Sequence, residues 1–98
     1  MWILETAADA EDKFTFRVPA GAVKTIGRAT GAEFIVDAPL VSRLHCQLTA
    51  TGTTLQVKDL DSTNGTFVNG ARMQTAQLRE GDTLSVGRVD LIVSKKTT

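Results

Sequence analysis

Two Asn-Gly pairs stand close together in the middle of the chain and constrain its fold more than any other feature. Residues 59–70 read DLDSTNGTFVNG, in which only TFV separates Asn64-Gly65 from Asn69-Gly70. Asn-Gly is the strongest short-range signal for a tight turn, because both residues accept a positive φ angle at little cost. A segment that carries two such signals within so few residues favours short strands over a helix.

Runs in which apolar residues alternate with polar ones recur along the chain, as in FTFRV (14–18), where every second residue is apolar. The candidate strands are FTFRV (14–18), HCQLTA (45–50), TLQVKDL (54–60) and LSVGRVDLIV (84–93), with shorter ones at WIL (2–4), KTI (24–26), FIV (34–36), TFV (66–68) and ARM (71–73). β-Branched residues and glycines interrupt every window that is long enough for a helix. Short strands separated by turns predict an all-β, antiparallel β-sandwich, with a small open barrel as the alternative.

Charge and cysteine usage limit the classes of partner and site. The 98 residues carry 11 basic and 11 acidic side chains, and this balance argues against a nucleic-acid-binding or membrane-surface protein. Cys46 is the only cysteine and there is one histidine, so neither a disulfide within the chain nor a structural zinc site is expected. We therefore predict one domain over residues 1–98, without metal or cofactor and without a membrane span, in the cytoplasm.

Polar residues that could bind a ligand collect in three connections between candidate strands, at residues 27–33, 37–45 and 59–65. Together these connections supply two guanidinium groups, three hydroxyl groups and one carboxamide, from Arg28, Ser42, Arg43, Ser62, Thr63 and Asn64. Guanidinium groups bind oxyanions through paired, charge-assisted hydrogen bonds, and hydroxyl groups add further donors. The set therefore predicts an oxyanion site, and the alternative is that these are ordinary solvated loop residues.

A catalytic role is the less favoured interpretation. Ser42 and His45 stand three residues apart, but a nucleophilic serine also needs a third group that orients its base, and no G-x-S-x-G turn surrounds Ser42. A lone histidine at a loop–strand junction is more often a structural hydrogen-bond donor. Cys46 alternates with apolar residues and is expected to be a small buried side chain. We predict that the protein is not an enzyme.

Four segments in combination resemble the forkhead-associated (FHA) domain family. They are IGR (26–28), DAPLVSRLHCQL (37–48), VKDLDSTNGTFVNGARM (57–73) and LREGDTLSVG (78–87), and the resemblance extends from about residue 2 to residue 93. It implies a sandwich of about eleven strands whose loops at one end bind phosphothreonine peptides. The expected partner is a threonine-phosphorylated protein or peptide, in trans or within the same polypeptide.

The resemblance also implies a role for each matched residue. Phosphate contacts are expected from Arg28, Ser42, Arg43 and Thr63, a clamp on the peptide backbone from Asn64, and support of the loops from Gly27, His45 and Gly65. The sequence departs from the family at Ala38, where the family often has a second acid after the position of Asp37. The alternative function is a docking domain that does not use phosphate and whose pocket is vestigial.

The two Asn-Gly pairs are predicted to do different work. Asn69-Gly70 directly joins the runs TFV and ARM and fits a two-residue type I′ hairpin. Asn64-Gly65 ends a polar run that is too long for a tight hairpin, so we expect Gly65 to turn the backbone of a binding loop and Asn64 to face the ligand.

Overall fold

The computed structural model describes residues 1–96, which form eleven strands and no helix. Within this range no helix exists that could cross a membrane. The strands are β1 (Trp2–Glu5), β2 (Thr15–Val18), β3 (Val23–Gly27), β4 (Phe34–Ile35), β5 (Cys46–Ala50), β6 (Leu55–Asp59), β7 (Thr66–Val68), β8 (Ala71–Arg72), β9 (Thr75–Leu78), β10 (Thr83–Val86) and β11 (Val89–Lys95).

The strands form two sheets, which confirms the predicted sandwich. One sheet has six strands in the order β2-β1-β11-β10-β7-β8, and the other has five in the order β4-β3-β5-β6-β9. Their pairs are antiparallel except for β3 and β4, which pair in parallel at a sheet edge. The sequence did not predict this parallel pair, because a strand of two residues carries no signal for its direction.

The core lies between the two sheets and follows from the alternation seen in the sequence. In β5 the side chains of Cys46, Leu48 and Ala50 are buried, while Gln47 and Thr49 face outward. Opposite them the six-stranded sheet contributes Leu4, Val18, Leu84, Leu91 and Val93. Burying a side chain of this size stabilises the fold by roughly 1.5–3 kcal/mol, so the two alternating faces account for the layered architecture.

The second Asn-Gly pair forms the predicted hairpin. Val68 pairs with Ala71, and the two residues between them have positive φ angles, 50° at Asn69 and 85° at Gly70. Positive φ at both central positions defines a type I′ turn, whose twist matches that of the flanking strands. The side chain of Asn69 also accepts a hydrogen bond from the backbone N–H of Thr83 (2.9 Å), which ties this hairpin to β10.

The run 84–93 contains two strands, because Gly87 and Arg88 form a tight turn between Val86 and Val89. Strand β9 was not predicted, because its only fully buried side chain is that of Leu78 and the pattern around it is weak. It becomes a strand through its pairing with β6.

The first and last described strands are neighbours. Trp2 pairs with Lys95, and the backbone N–H of Lys96 donates to the carbonyl oxygen of Met1 over 2.8 Å. Because β1 and β11 are antiparallel, both ends of the described chain lie at the same end of the sandwich. The turn between β10 and β11 lies at the opposite end.

Candidate functional site

The strand register brings the three polar connections to one end of the sandwich. Ile26 near the end of β3 pairs with Cys46 at the start of β5, and Cys46 pairs with Asp59 at the end of β6. The β3–β4, β4–β5 and β6–β7 loops all leave the sheet at this level. Loops that are held by a rigid sandwich in this way are a common place for binding residues.

Backbone contacts hold the β3–β4 loop against the β4–β5 loop. The N–H of Arg28 donates to the carbonyl oxygen of Ser42 (2.9 Å), and the N–H of Ala29 donates to that of Arg43 (3.1 Å). A Cβ atom on Gly27 would overlap the carbonyl oxygen of Arg43. Position 27 therefore requires glycine so that the two loops can approach.

This close approach places two guanidinium-bearing residues around one depression. Arg28 and Arg43 line an open concavity of about 400 Å³ together with Ala29, Thr30 and Asp37. Both arginines are exposed, so their donors are accessible to a ligand. Two cations and one carboxylate give the depression a net positive charge, which favours a multiply charged anion.

Ser42 links this depression to the third loop. Its side-chain oxygen accepts a hydrogen bond from the backbone N–H of Thr63 (3.0 Å), and this leaves its hydroxyl proton available for donation. Ser42 is half-buried and Thr63 is exposed. The contact sets Thr63 beside Ser42, and the backbone bond between Arg28 and Ser42 joins both residues to the loop that carries Arg28.

Asn64 connects the third loop to the middle of the β4–β5 loop. Its side-chain amide donates a hydrogen bond to the carbonyl oxygen of Leu40 (3.0 Å), and Leu40 has an unusual positive φ of 73°. An asparagine side chain has two N–H donors and one carbonyl acceptor. One N–H is used by Leu40, and the second N–H and the oxygen are still able to pair with a peptide backbone.

His45 braces the cluster from below and is fully buried. Its Nδ1 accepts a hydrogen bond from the backbone N–H of Ser42 (3.0 Å), so the ring carries its proton on Nε2 and donates it to the carbonyl oxygen of Gly65 (2.8 Å). The ring thereby joins the second loop to the third. Because both ring nitrogens face backbone atoms, neither is positioned to act as a base on the Ser42 hydroxyl.

A buried carboxylate fixes the start of the third loop. Asp59 accepts hydrogen bonds from the hydroxyl of Thr66 (2.7 Å), from the backbone N–H of Ser62 (3.1 Å) and from the Ser62 hydroxyl. Burial alone would raise the pKa of Asp59, but the hydrogen bonds from Ser62 and Thr66 hold this pKa below the ordinary value of 3.8. The carboxylate is therefore stabilised in its charged form inside the protein.

Ser62 was predicted to belong to the oxyanion site, but in the structure its hydroxyl group is not available to a ligand. Its side chain is 7% exposed, and its hydroxyl group donates to Asp59 while accepting from the backbone N–H of Gly65 (3.0 Å). With both functions in use, Ser62 shapes the loop and does not face a ligand. Sequence reasoning also missed Asp59 and Asp37, although the alternation in TLQVKDL pointed to Asp59 as an inward residue.

Gly65 ends this loop with a φ of 92°. A side chain there would also meet the Arg72 guanidinium group, whose Nε lies 2.8 Å from the position of a Cβ atom. Glycine accepts this backbone angle without strain, and any other residue would also require the Arg72 side chain to move. The first Asn-Gly pair thus closes a loop, in contrast to the hairpin formed by the second pair.

Cys46 follows His45 in the sequence and begins strand β5. It is fully buried among core side chains, and this burial raises the pKa of its thiol to about 12. The thiol is neutral and packs as a small apolar side chain, as predicted.

The comparison with known families agrees with this geometry. The family model described as the FHA domain matches residues 24–87, which span β3 to the end of β10 and include all three loops. The chain belongs to the FHA domain family. FHA domains are interaction modules and not enzymes.

Individual FHA proteins are similar over most of the chain. The ABC transporter ATP-binding/permease protein Rv1747 of Mycobacterium tuberculosis is 40% identical over 85 residues, which is 87% of this chain and 10% of that protein. The crystal structure of the FhaA FHA domain complexed with the intracellular domain of Rv3910 has a TM-score of 0.86 and 34% identity, covering 96% of this chain and 100% of that one.

A further structure comes from a study of phosphothreonine-dependent FHA domain interactions. It has a TM-score of 0.83 and 32% identity, and it covers 99% of this chain and 98% of that one. The chain spans only 10%, 13% and 55% of the length of three full-length relatives, the Rv1747 transporter protein, FhaA and the Mycolicibacterium smegmatis regulator GarA.

Proposed function

We propose that this FHA domain binds proteins phosphorylated on threonine, without catalytic activity, through the loops at one end of the sandwich. The observation that carries the proposal is the depression lined by Arg28 and Arg43, beside which the backbone N–H of Arg28 bonds to the carbonyl oxygen of Ser42. A phosphoryl group brings a charge of about −1.5 to −2 at neutral pH and three strong acceptor oxygens. Two guanidinium groups and a hydroxyl match those acceptors in both charge and number of donors.

The remaining site residues fit the parts of a ligand other than phosphate. Thr63 stands beside Ser42 through the 3.0 Å contact of its backbone N–H, and it would flank the phosphate and the threonine methyl group. The free amide functions of Asn64 would pair with the peptide backbone. Gly27, His45 and Gly65 would act indirectly, by holding the loops at the distances that the ligand requires.

A hydrolase function is disfavoured by the geometry around His45. A serine nucleophile needs a base that takes its proton, yet Nδ1 of this ring faces the backbone N–H of Ser42 and Nε2 faces Gly65. A docking role that does not use phosphate is the second alternative. It leaves unexplained why two exposed arginines share one depression.

A titration with matched peptides tests the proposal. One peptide carries phosphothreonine, the second carries unmodified threonine and the third carries phosphoserine at the same position. We expect clear preference for the first, and Arg28→Ala to weaken its binding at least ~10-fold, because a hydrogen bond to a charged group contributes roughly 1.5–3 kcal/mol. The melting temperature should stay nearly unchanged, since the Arg28 side chain is exposed.

Arg79→Ala is the matched control, because it removes an exposed arginine from the turn between β9 and β10 at the opposite end of the sandwich. It should bind like the wild type. Equal affinity of the wild-type domain for the phosphorylated and unmodified threonine peptides would reject the proposal and favour the phosphate-independent docking role.

We further propose that residues 1–98 fold as one unit and act in the cytoplasm. The alternating core that runs from β1 to β11 supports the first statement. Limited proteolysis would test it, with one resistant fragment expected, and cell fractionation would test the location.

A further inference from the structure

The two Asn-Gly pairs share a chemical reactivity in addition to their use in turns. The backbone nitrogen of a glycine that follows asparagine can lose its proton to base and attack Cγ of the asparagine side chain. A C–N bond forms, the bond from Cγ to the amide nitrogen breaks, and that nitrogen takes up a proton and leaves as ammonia. Water then opens the resulting succinimide to aspartate or isoaspartate. An amide that both donates and accepts hydrogen bonds thus becomes a carboxylate that only accepts them.

At the first pair the attacking nitrogen is held inside the protein. The backbone N–H of Gly65 donates to the side-chain oxygen of Ser62 over 3.0 Å, and Gly65 is buried. The Ser62 hydroxyl is fixed in turn by donating to Asp59. Base can remove the Gly65 proton only after this buried hydrogen bond has opened, as in amide hydrogen exchange. The fold therefore protects Asn64, although the side chain of Asn64 is itself exposed.

At the second pair the attacking nitrogen is open to solvent. Gly70 is exposed in the β7–β8 turn, and within residues 1–96 its backbone N–H donates to no other group. A Cβ atom added to Gly70 would meet no atom within 4 Å beyond its chain neighbours, so water and hydroxide reach this peptide bond freely. The side-chain oxygen of Asn69 accepts from the backbone N–H of Thr83 (2.9 Å), a donor that would stabilise the negative charge developing on this oxygen during the attack.

The Asn69 side chain also links two turns of the protein. Its nitrogen donates to one carboxylate oxygen of Asp82 (3.0 Å), and the other oxygen of Asp82 accepts from the backbone N–H of Arg79 (2.8 Å). These hydrogen bonds hold the pKa of Asp82 below its ordinary value of 3.8, so the carboxylate is charged at neutral pH. An aspartate at position 69 would lose the donor and set a second negative charge beside Asp82, with Arg79 as the neighbouring cation.

We propose that Asn69 is a site of spontaneous deamidation whose product weakens the link between the β7–β8 and β9–β10 turns, whereas Asn64 is protected by the fold. Both turns lie at the end of the sandwich opposite the three binding loops. Modification therefore lowers the stability of the domain and leaves the arrangement of those loops intact. The reaction needs only water and base, and it does not depend on the proposed phosphopeptide binding.

The difference between the two pairs is tested by peptide mapping during incubation of the protein in mildly alkaline buffer. Mass spectrometry follows both pairs in one sample, through the mass gained when the amide becomes a carboxylate and through the isoaspartate content. In the folded domain we expect conversion of Asn69 to be at least ~10-fold faster than that of Asn64, because a buried hydrogen bond must open first at Asn64. In urea the two rates should become similar, since the fold no longer separates the pairs.

Asn69→Gly is the control at the modified position, because glycine accepts the positive φ of the turn and has no side chain to react. This variant should lack the fast conversion and retain the slow one at Asn64. Conversion of Asn64 at an equal or higher rate than Asn69 in the folded domain would overturn the proposal. An Asn69 that stays intact in the folded domain, while both pairs are converted in urea, would also overturn it.

The effect of the product is tested with Asn69→Asp. We expect its melting temperature to fall by at least about 4 °C, and adding Asp82→Asn to recover most of this loss, because an amide at position 82 can donate to the new carboxylate. Asp82→Asn alone serves as the reference for the pair. An Asn69→Asp variant that melts like the wild type, or a loss that Asp82→Asn does not reduce, would refute the assigned effect on the two turns.

Discussion

Replacing His45 should lower the stability of the domain by an amount that follows from the two hydrogen bonds of its ring. His45→Ala removes the acceptor for the Ser42 N–H and the donor for the Gly65 carbonyl, and it leaves the first group without this partner at a partly buried position and the second at a buried one. An unsatisfied buried group costs about 1–3 kcal/mol, so the loss of two partners should lower the free energy of unfolding by roughly 2–6 kcal/mol. For a domain of this size each 1 kcal/mol lowers the melting temperature by about 4–8 °C, so we expect a decrease of at least roughly 8 °C.

Two further variants each preserve one of the two hydrogen bonds that His45 makes. His45→Asn can place an oxygen near the position of Nδ1 and preserve the acceptor for Ser42, and His45→Gln can place an amide nitrogen near Nε2 and preserve the donor to Gly65. Each should fall between the wild type and His45→Ala in calorimetric melting. Phosphopeptide titration below the transition should show weaker binding for all three, because the loops that carry Ser42 and Asn64 lose their link.

A His45→Ala variant that melts within a few degrees of the wild type and binds the phosphopeptide equally well would contradict the bracing role of His45. A variant with normal stability that loses a hydrolytic activity would instead revive the enzyme interpretation.

Three other variants test separate parts of the third loop and its neighbours. Gly70→Val should lower stability by roughly 1–3 kcal/mol, because a β-branched residue is disfavoured at a φ of 85°, while the folded fraction still binds phosphopeptide. Asn64→Ala should melt almost like the wild type but bind roughly 5- to 150-fold more weakly, and unchanged binding would refute its role as a clamp. For Asp59, the pKa is lowered on folding, so its charge stabilises the fold above pH 3.8 and this contribution is lost as the pH falls through the still lower folded value. Urea unfolding from pH 7 to pH 2 should therefore show a stability difference between wild type and Asp59→Asn that shrinks below pH 3.8, and a constant difference would contradict this cause.

The architecture was accessible from the sequence because its strands are strongly patterned. In β5 and β6 every second residue is apolar or, at Asp59, inward and hydrogen-bonded, so periodicity alone located both strands. In strand β9 the alternation is short, with only Ala76 and Leu78 facing inward, and the strand is completed by its pairing with β6, in which Gln77 pairs with Gln56. Pairing partners lie far apart along the chain, and local sequence does not encode them.

The sequence identified the residue types of the candidate site but not their arrangement in space. The residue types of Arg28, Ser42 and Arg43 indicated oxyanion binding, but their convergence depends on the approach of two backbones at Gly27. Ser62 illustrates the limit most clearly. Its hydroxyl is chemically equivalent to that of Ser42 in the sequence, and a buried acid three residues earlier decides that it supports the loop instead of facing a ligand.

The adjacency of the first and last strands determines how the domain responds to mechanical load. A force applied at Met1 and Lys96 would pull on two neighbouring antiparallel strands from the same end. Under that geometry the pairs open one after another, starting at Trp2 and Lys95, and do not share the load as they would in shear. Tension would therefore reach the hydrogen bonds of β1 and β11 first, and the loops at the far end of the sandwich would keep their arrangement until those strands had separated.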